Sequence, residues 1–316
     1  MNFTTQIPIP KSNHPIDYNS RILSLGSCFA ENMAEKFDYF RFQNTVNPFG
    51  IIFNPVSIEK LISRVINEEK FTESAIFFHN ERWHCHEVHS DLSTENKEKF
   101  LENLNAILKF THNQILKSTH IIITYGTSWI YRLKSNNEVV ANCHKVPQNQ
   151  FDKEILSIES IEESIQNTID LIRKVNPDCQ FIFTISPVRH IKDGFVENQR
   201  SKAHLISAIH QIINCQLSII NYFPSYEIIM DELRDYRFYA EDMLHPNATA
   251  IAYIWERFTE AWISKLSHET MAEVNSIQKG LEHRPFNLNS ESYLQFKHKL
   301  EEKIDKLLSE YPFIKF

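Results

Sequence analysis

Arg21-Ile22-Leu23-Ser24-Leu25-Gly26-Ser27-Cys28-Phe29-Ala30-Glu31-Asn32-Met33 is the stretch on which the fold turns. Residues 21–25 are a short apolar run that ends at Gly26-Ser27. Beyond it Phe29, Met33 and Phe37 recur at i, i+4 and i+8, the period of a helix with one buried face. The segment therefore reads as strand, tight turn, helix, with Ser27 at the turn. A serine there has two readings. It can cap the helix, as serine often does, or it can serve as a nucleophile whose developing charge meets the helix N-terminus.

The same grammar repeats outward from this segment. Residues 119–125 and 180–186 are buried-strand runs ended by Gly126 and Pro187, and 39–46 alternates aromatic and polar residues. The run 226–230, YEIIM, reads as the last strand. Helical patterns fall at 55–68, 93–116, 158–175, 197–221 and about 247–266, with Pro246 expected at a first helical position. Hairpins are expected within 74–91, turning at HNER, and within 129–145. Strands alternating with helices imply a parallel sheet covered on both faces. The predicted fold is thus α/β: a three-layer sandwich around about five parallel strands, with hairpin insertions. The expected division is a main domain over 1–266 and a helical C-terminal extension over 267–316. Phe296, Leu300, Ile304, Leu307 and Leu308 give that extension an apolar stripe that docks on the domain or forms a partner surface.

Composition narrows the function classes. Hydrophobic residues are 42% of the 316, enough for a sizeable core, and the net charge of -7 argues against a nucleic-acid binder. The five cysteines are widely spaced and odd in number, which disfavours a disulfide scaffold or a structural zinc site. No apolar run approaches the ~20 residues of a membrane span. The opening MNFTTQIPIPKSNHPIDYNS lacks a basic segment followed by an apolar core, so a cytoplasmic location is expected. Glycine is scarce, and three of the five (Gly26, Gly50 and Gly126) close strand-like runs or the loop after one. In open α/β sheets ligands bind beyond the carboxyl ends of the strands.

The far end of the chain supplies what Ser27 needs. Asp242-Met243-Leu244-His245-Pro246 follows the last strand. A serine hydroxyl is inert without a base, and the base needs an anion to fix its tautomer. The residue before a proline is pushed to extended geometry, so His245 should project from a loop. Asp242 could equally be an anion at a helix start.

The combination is more specific than either part. GSCFAENM, NPFG followed by IIFNP, ITYGTSWIY, ANCHK, SPVRHIKDG with ENQRSKAHL, and DMLHPN together resemble the GSCFA domain family, which is related to the SGNH/GDSL serine hydrolases. The resemblance covers about residues 20–260. It implies Ser27 as nucleophile and Asp242 and His245 as its acid–base partners. The backbone amides of Ser27 and Gly50 become oxyanion donors, and Gly126 opens the third conserved block. That block usually continues to an asparagine whose side chain is a further donor. Here it reads Gly126-Thr127-Ser128-Trp129, with Ser128 in the asparagine's place. Ser128 or Asn142, in ANCHK, is the expected replacement. Such relatives include carbohydrate O-acetyl esterases, lipases and acyltransferases, so the expected substrate is a small-molecule or carbohydrate ester, and no metal or organic cofactor is implied.

Other residues compete for attention. Gly126, Thr127, Arg189 and His190 sit at strand ends and are candidates for substrate binding; Arg189 can also bridge loop carboxylates such as Asp193 or Glu197. Asn198 and Ser201 read as helix caps. Cys28 at the helix N-terminus is an alternative nucleophile, or a packed thiol. His84, Cys85, His86 and His89 resemble metal ligands, but a strand would split them between two faces. The alternatives to a hydrolase are an inactive binding module on the same fold, an acyltransferase, and a cysteine or metal enzyme.

Overall fold

The strand expected at 21–25 is β1 (Arg21–Gly26) in a computed structural model that describes residues 5–215 and 219–316. It leads into α1 (Cys28–Tyr39), then β2 (Gln43–Val46), α2 (Pro55–Ile66), β3 (Phe77–His79) and β4 (Arg82–His84). Next come α3 (Lys97–Lys117), β5 (His120–Tyr125), β6 (Trp129–Leu133), β7 (Glu138–Val140), β8 (Phe151–Ile155) and α4 (Ile158–Val175). The chain continues through β9 (Gln180–Ile185), α5 (Phe195–Cys215), β10 (Ile220–Phe223) and α6 (Ser225–Glu227), and closes with α7 (Ala248–Trp262), α8 (Lys265–Glu282) and α9 (Glu291–Glu310).

β1, β2, β5, β9 and β10 form one parallel sheet in the order β10-β9-β5-β1-β2. The chain steps from β1 to one side and then returns to build on the other. The crevice at such a reversal, between β1 and β5, is where α/β sheets hold ligands.

Alternate strand residues face opposite layers, as the pleat requires. Leu23, Leu25, Ile121, Ile123, Phe181 and Phe183 pack with α2, α3, α4 and α5 through residues such as Ile58, Leu104, Ile165 and Leu205. Ile22, Ile122, Ile182 and Phe223 pack on the other face with Phe29, Phe37, Trp255 and Phe258. Met271, Val274 and Leu307 of α8 and α9 join that second cluster. Each such side chain, fully buried, contributes roughly 2 kcal/mol from apolar transfer. The result is the three-layer α/β/α sandwich.

The structure corrects several local readings. Residues 226–230 are not a strand: Tyr226 lies in α6, and Ile228–Leu233 is a π-helical turn. The last strand is β10, whose start the sequence reading took for the end of a helix over 197–221; of that span, residues 216–218 lie outside the described residues, as do residues 1–4 of the N-terminal stretch. The short INYF run was hidden because it follows an apolar helical repeat with no glycine or proline between. Pro246 does not open α7; Asn247 is its N-cap, and Pro246 pairs with Tyr239 in an isolated bridge. The region 129–145 is part of a three-stranded antiparallel sheet, β7-β6-β8, because 151–155 adds a strand to the expected hairpin. β3 and β4 form the other hairpin, turning at Asn80-Glu81, where both residues have positive φ.

The N-terminal segment straps the molecule. Ile16 bridges Ile263, with the Ile16 amide donating to Trp262 O at 2.7 Å and the Ser264 amide donating to Ile16 O at 2.8 Å. Further out, the Ile7 amide donates to the buried Glu232 carboxylate at 2.6 Å, and Arg257 donates to Ile7 O at 2.6 Å.

Candidate active site

The turn after β1 is built from backbone constraints. Gly26 has φ of 130°, and a Cβ there would lie 2.1 Å from Thr124 O. Only glycine fits so close to a neighbouring strand in that conformation. Its amide donates to Asn47 Oδ1 at 2.8 Å, which pins the loop after β2 to the end of β1. Ser27 follows, 1% exposed, as the N-cap of α1. Its hydroxyl accepts from the Phe29 amide at 3.3 Å. Among the described residues no hydrogen bond joins it to His245.

Asp242 and His245 are brought together. Asp242 Oδ2 lies 2.6 Å from His245 Nδ1, while Oδ1 accepts from the Leu244 amide at 2.9 Å and the His245 amide at 3.0 Å. The His245 and Leu244 amides and the His245 ring hold the carboxyl down to about 2. With Nδ1 turned to the carboxylate, Nε2 is the ring nitrogen left to accept a proton. The loop is shaped for this by Met243 at φ 58°, by the Ala240 amide donating to His245 O at 2.7 Å, and by Asn247 donating to Arg237 O and Tyr239 O. His245 is half exposed.

The expected amide and hydroxyl donors of the oxyanion hole, at Ser27, Gly50 and Ser128, have internal partners. The Ser27 amide donates to Thr124 O at 3.0 Å and the Gly50 amide to Asn47 O at 2.7 Å. Ser128 is fully buried; its hydroxyl donates to Ser201 O at 3.2 Å and its amide donates to Ser201 Oγ at 2.8 Å. Asn142 Oδ1 accepts from the His144 amide at 2.8 Å, and its backbone amide and carbonyl both pair with His86. No carbonyl pairs with the Cys28 amide among the described residues.

The strand ends border a cleft of about 300 Å³ whose walls include Phe53, Thr127, Trp129, Tyr131, Asn142 and His190. Thr127 Oγ1 bonds Ser201 Oγ at 2.8 Å, so Ser201 ties α5 to the turn after β5 and does not cap the helix. Asn198 likewise accepts from the His190 amide at 2.8 Å in place of capping. Arg189 faces away from the expected loop carboxylates: its guanidinium lies 4.0 Å over the Tyr239 ring and 5.0 Å over Tyr236, and its amide donates to Leu244 O. It clasps the Asp242–His245 loop. The His190 ring lies tilted against Phe53, 5.7 Å between centroids, and its buried Nε2 has no hydrogen-bond partner. Burial, with Lys202 and His245 nearby, holds that imidazole down to about 3.

Lys202 is the residue the sequence reading missed. It is 1% exposed, and its Nζ donates to Gly126 O and Ser186 O, each at 2.7 Å, tying together the ends of β5 and β9. Burial pulls its ammonium down to about 7, against the opposing pull of Cys28 and Glu227. Nothing in the periodicity of α5 marks it.

The histidine segment is a stacked cluster. His84 Nδ1 bonds Ser93 Oγ and its Nε2 bonds His79 O, His86 stacks on Phe77 at 4.2 Å, and His144 bonds Cys85 O. Among the described residues no three His, Cys, Asp or Glu side chains are grouped to hold a metal. Cys28, Cys85, Cys143 and Cys179 are free thiols, and burial raises the pKa of Cys28. No helix among the described residues is long and apolar enough to cross a membrane.

The strand order, with helices on both faces, defines a three-layer α/β protein, with Ser27 at the end of β1 and the Asp242–His245 pair on the loop before α7. The chain belongs to the GSCFA family: the family model matches residues 21–258, and the model of the GSCFA domain protein C-terminal domain matches 274–316. Among solved structures it is similar to a carbohydrate esterase family 3 protein from Talaromyces cellulolyticus. The two share 9% identity over 81% of this chain and 99% of that one, with a TM-score of 0.36. No curated protein matches the chain.

Proposed function

We propose that this protein is a serine acyl hydrolase that cleaves an ester, with Ser27 as nucleophile, His245 as general base and Asp242 as the anion that orients it. The observation that carries the reading is the 2.6 Å Asp242–His245 pair, its carboxylate locked by two amides on a loop facing the strand ends. In the reaction the Ser27 Oγ proton passes to His245 Nε2 as Oγ bonds the carbonyl carbon. The carbonyl electron pair moves onto oxygen. Collapse expels the alkoxide, which takes the proton back from His245; water then repeats the sequence and frees the acid. An alcohol in place of water would make the same residues an acyltransferase. The Trp129, Tyr131 and Phe53 walls of the cleft suit a sugar ring or an acyl chain, and an O-acetylated carbohydrate is the substrate we favour.

One observation favours a second reading, a binding module on the same fold: Ser27 is buried and its hydroxyl is held by the Phe29 amide. Hydrolysis of p-nitrophenyl acetate and labelling by a fluorophosphonate separate the two. Wild-type protein and Cys28→Ala should turn over and label, and Ser27→Ala should do neither. Folded wild-type protein that neither turns over nor labels would mean the module. Loss confined to Cys28→Ala would instead make the thiol the nucleophile.

A further inference from the structure

We infer that His190, as the neutral Nε2–H tautomer, donates the hydrogen bond that stabilises the reacting carbonyl oxygen, in the role left open by the missing third-block asparagine. This deepens the acyl-transfer reading above and rests on it. The Ser27 and Gly50 amides and the Ser128 hydroxyl are each occupied inside the protein, and the His144 amide holds Asn142 by its Oδ1. His190 Nε2 is a buried polar atom on the cleft wall with no partner at all. Buried polar groups are nearly always paired, and an orphan at a strand-end crevice calls for a ligand.

Position agrees with chemistry. A Cβ placed on Gly126 would lie 3.2 Å from His190 Nε2, so the ring edge sits against the very glycine that opens the third block. A side chain at 126 would fill the space between the ring and the strand end. The ring is held from three sides: its own amide by Asn198, its face by Phe53, and its loop by Arg189 bonding Leu244. A donor fixed in advance costs no reorganisation as charge develops. Lys202 and His245 lie close by, and a positive charge on either opposes one on His190. A neutral imidazole N–H can polarise a carbonyl without surrendering its proton. His190 therefore keeps its proton throughout, and only His245 carries the proton removed from Ser27.

The test uses the full-length protein with His190→Phe and His190→Gln. Truncating one oxyanion donor typically costs about 10²–10³ in kcat. His190→Phe should lose that much in kcat on p-nitrophenyl acetate with little change in KM, while His190→Gln, which keeps an N–H, recovers part of it. Ring ¹⁵N–¹H correlation spectra give a readout independent of turnover. They should show the Nε2–H tautomer from pH 5 to 8, and the Nε2–H proton should move downfield when a fluorophosphonate occupies Ser27. A Nδ1–H tautomer or an imidazolium in that range overturns the inference. So does a wild-type kcat in folded His190→Phe while Ser27 still labels. Absence of Ser27 labelling in the wild type defeats the hydrolase reading itself, a different outcome from either.

Discussion

Lys202 shows how much of a site can hang on one side chain that no pattern announces. In the sequence it is one polar position in an amphipathic helix; in the structure its Nζ meets Gly126 O and Ser186 O and lies 5.4 Å over the Tyr226 ring. Lys202→Met would leave two buried carbonyls without donors, at about 1–3 kcal/mol each. A fall in urea-unfolding stability of that order is expected at pH 7, and a fall below ~0.5 kcal/mol would refute it. The pH response has a definite sign. The folded lysine titrates at about 7 and the unfolded one near 10.4. Below pH 7 both are charged and the full cost of burial is present; between about 7 and 10 only the unfolded chain holds the proton, so stability climbs with pH. That climb should vanish in Lys202→Met. Ser128 and Asn142 teach the complementary lesson. Their residue types suit an oxyanion role, but spacing cannot show that Ser201 of the facing helix takes the Ser128 hydroxyl or that the His144 amide takes Asn142 Oδ1.

Elements were legible where period and punctuation agreed. β1, β5 and β9 are apolar runs ended by glycine or a Ser-Pro pair, and their fold-level consequence, a ligand site beyond the strand ends, could be drawn from the sequence with Ser27 and Gly126 in place. The last strand was not legible, because YEIIM has the composition of a strand while the chain around it folds as a π-helical turn. That turn ends at Arg234, in the left-handed region, and releases the loop that carries Asp242 and His245. Arg189 is the positioning residue for this loop, through Tyr236, Tyr239 and Leu244. A cation–π contact of this kind is worth about 0.5–2 kcal/mol. Arg189→Ala should therefore lower kcat about tenfold with KM and melting temperature nearly unchanged, and Arg189→Lys should recover part of the loss. A drop in KM affinity with kcat intact would make Arg189 a substrate contact instead.

At the scale of the whole molecule, buried imidazoles set the acid limit. Burial lowers His144 to about 4 and His190 to about 3, and depresses His84, His86 and His120 as well. Each is depressed relative to about 6.5 in the unfolded chain. As pH falls below 6.5 the unfolded chain takes up protons that the folded one refuses, and stability drops by up to ~1.4 kcal/mol per pH unit for each such group. Urea unfolding at pH 7, 6 and 5 should show a steep loss, shallower in His144→Gln; a flat profile would contradict the neutral cluster. The strap formed by residues 7–16 has a further consequence, for biosynthesis. Its partners Glu232, Arg257, Ala261 and Trp262 lie 225 to 250 residues further along the chain, so the strap must wait unpaired until they have emerged. Closure of the strap is then a late event in folding, and a bulky fusion placed ahead of residue 7 would act on that final step and leave the sheet, assembled earlier, untouched.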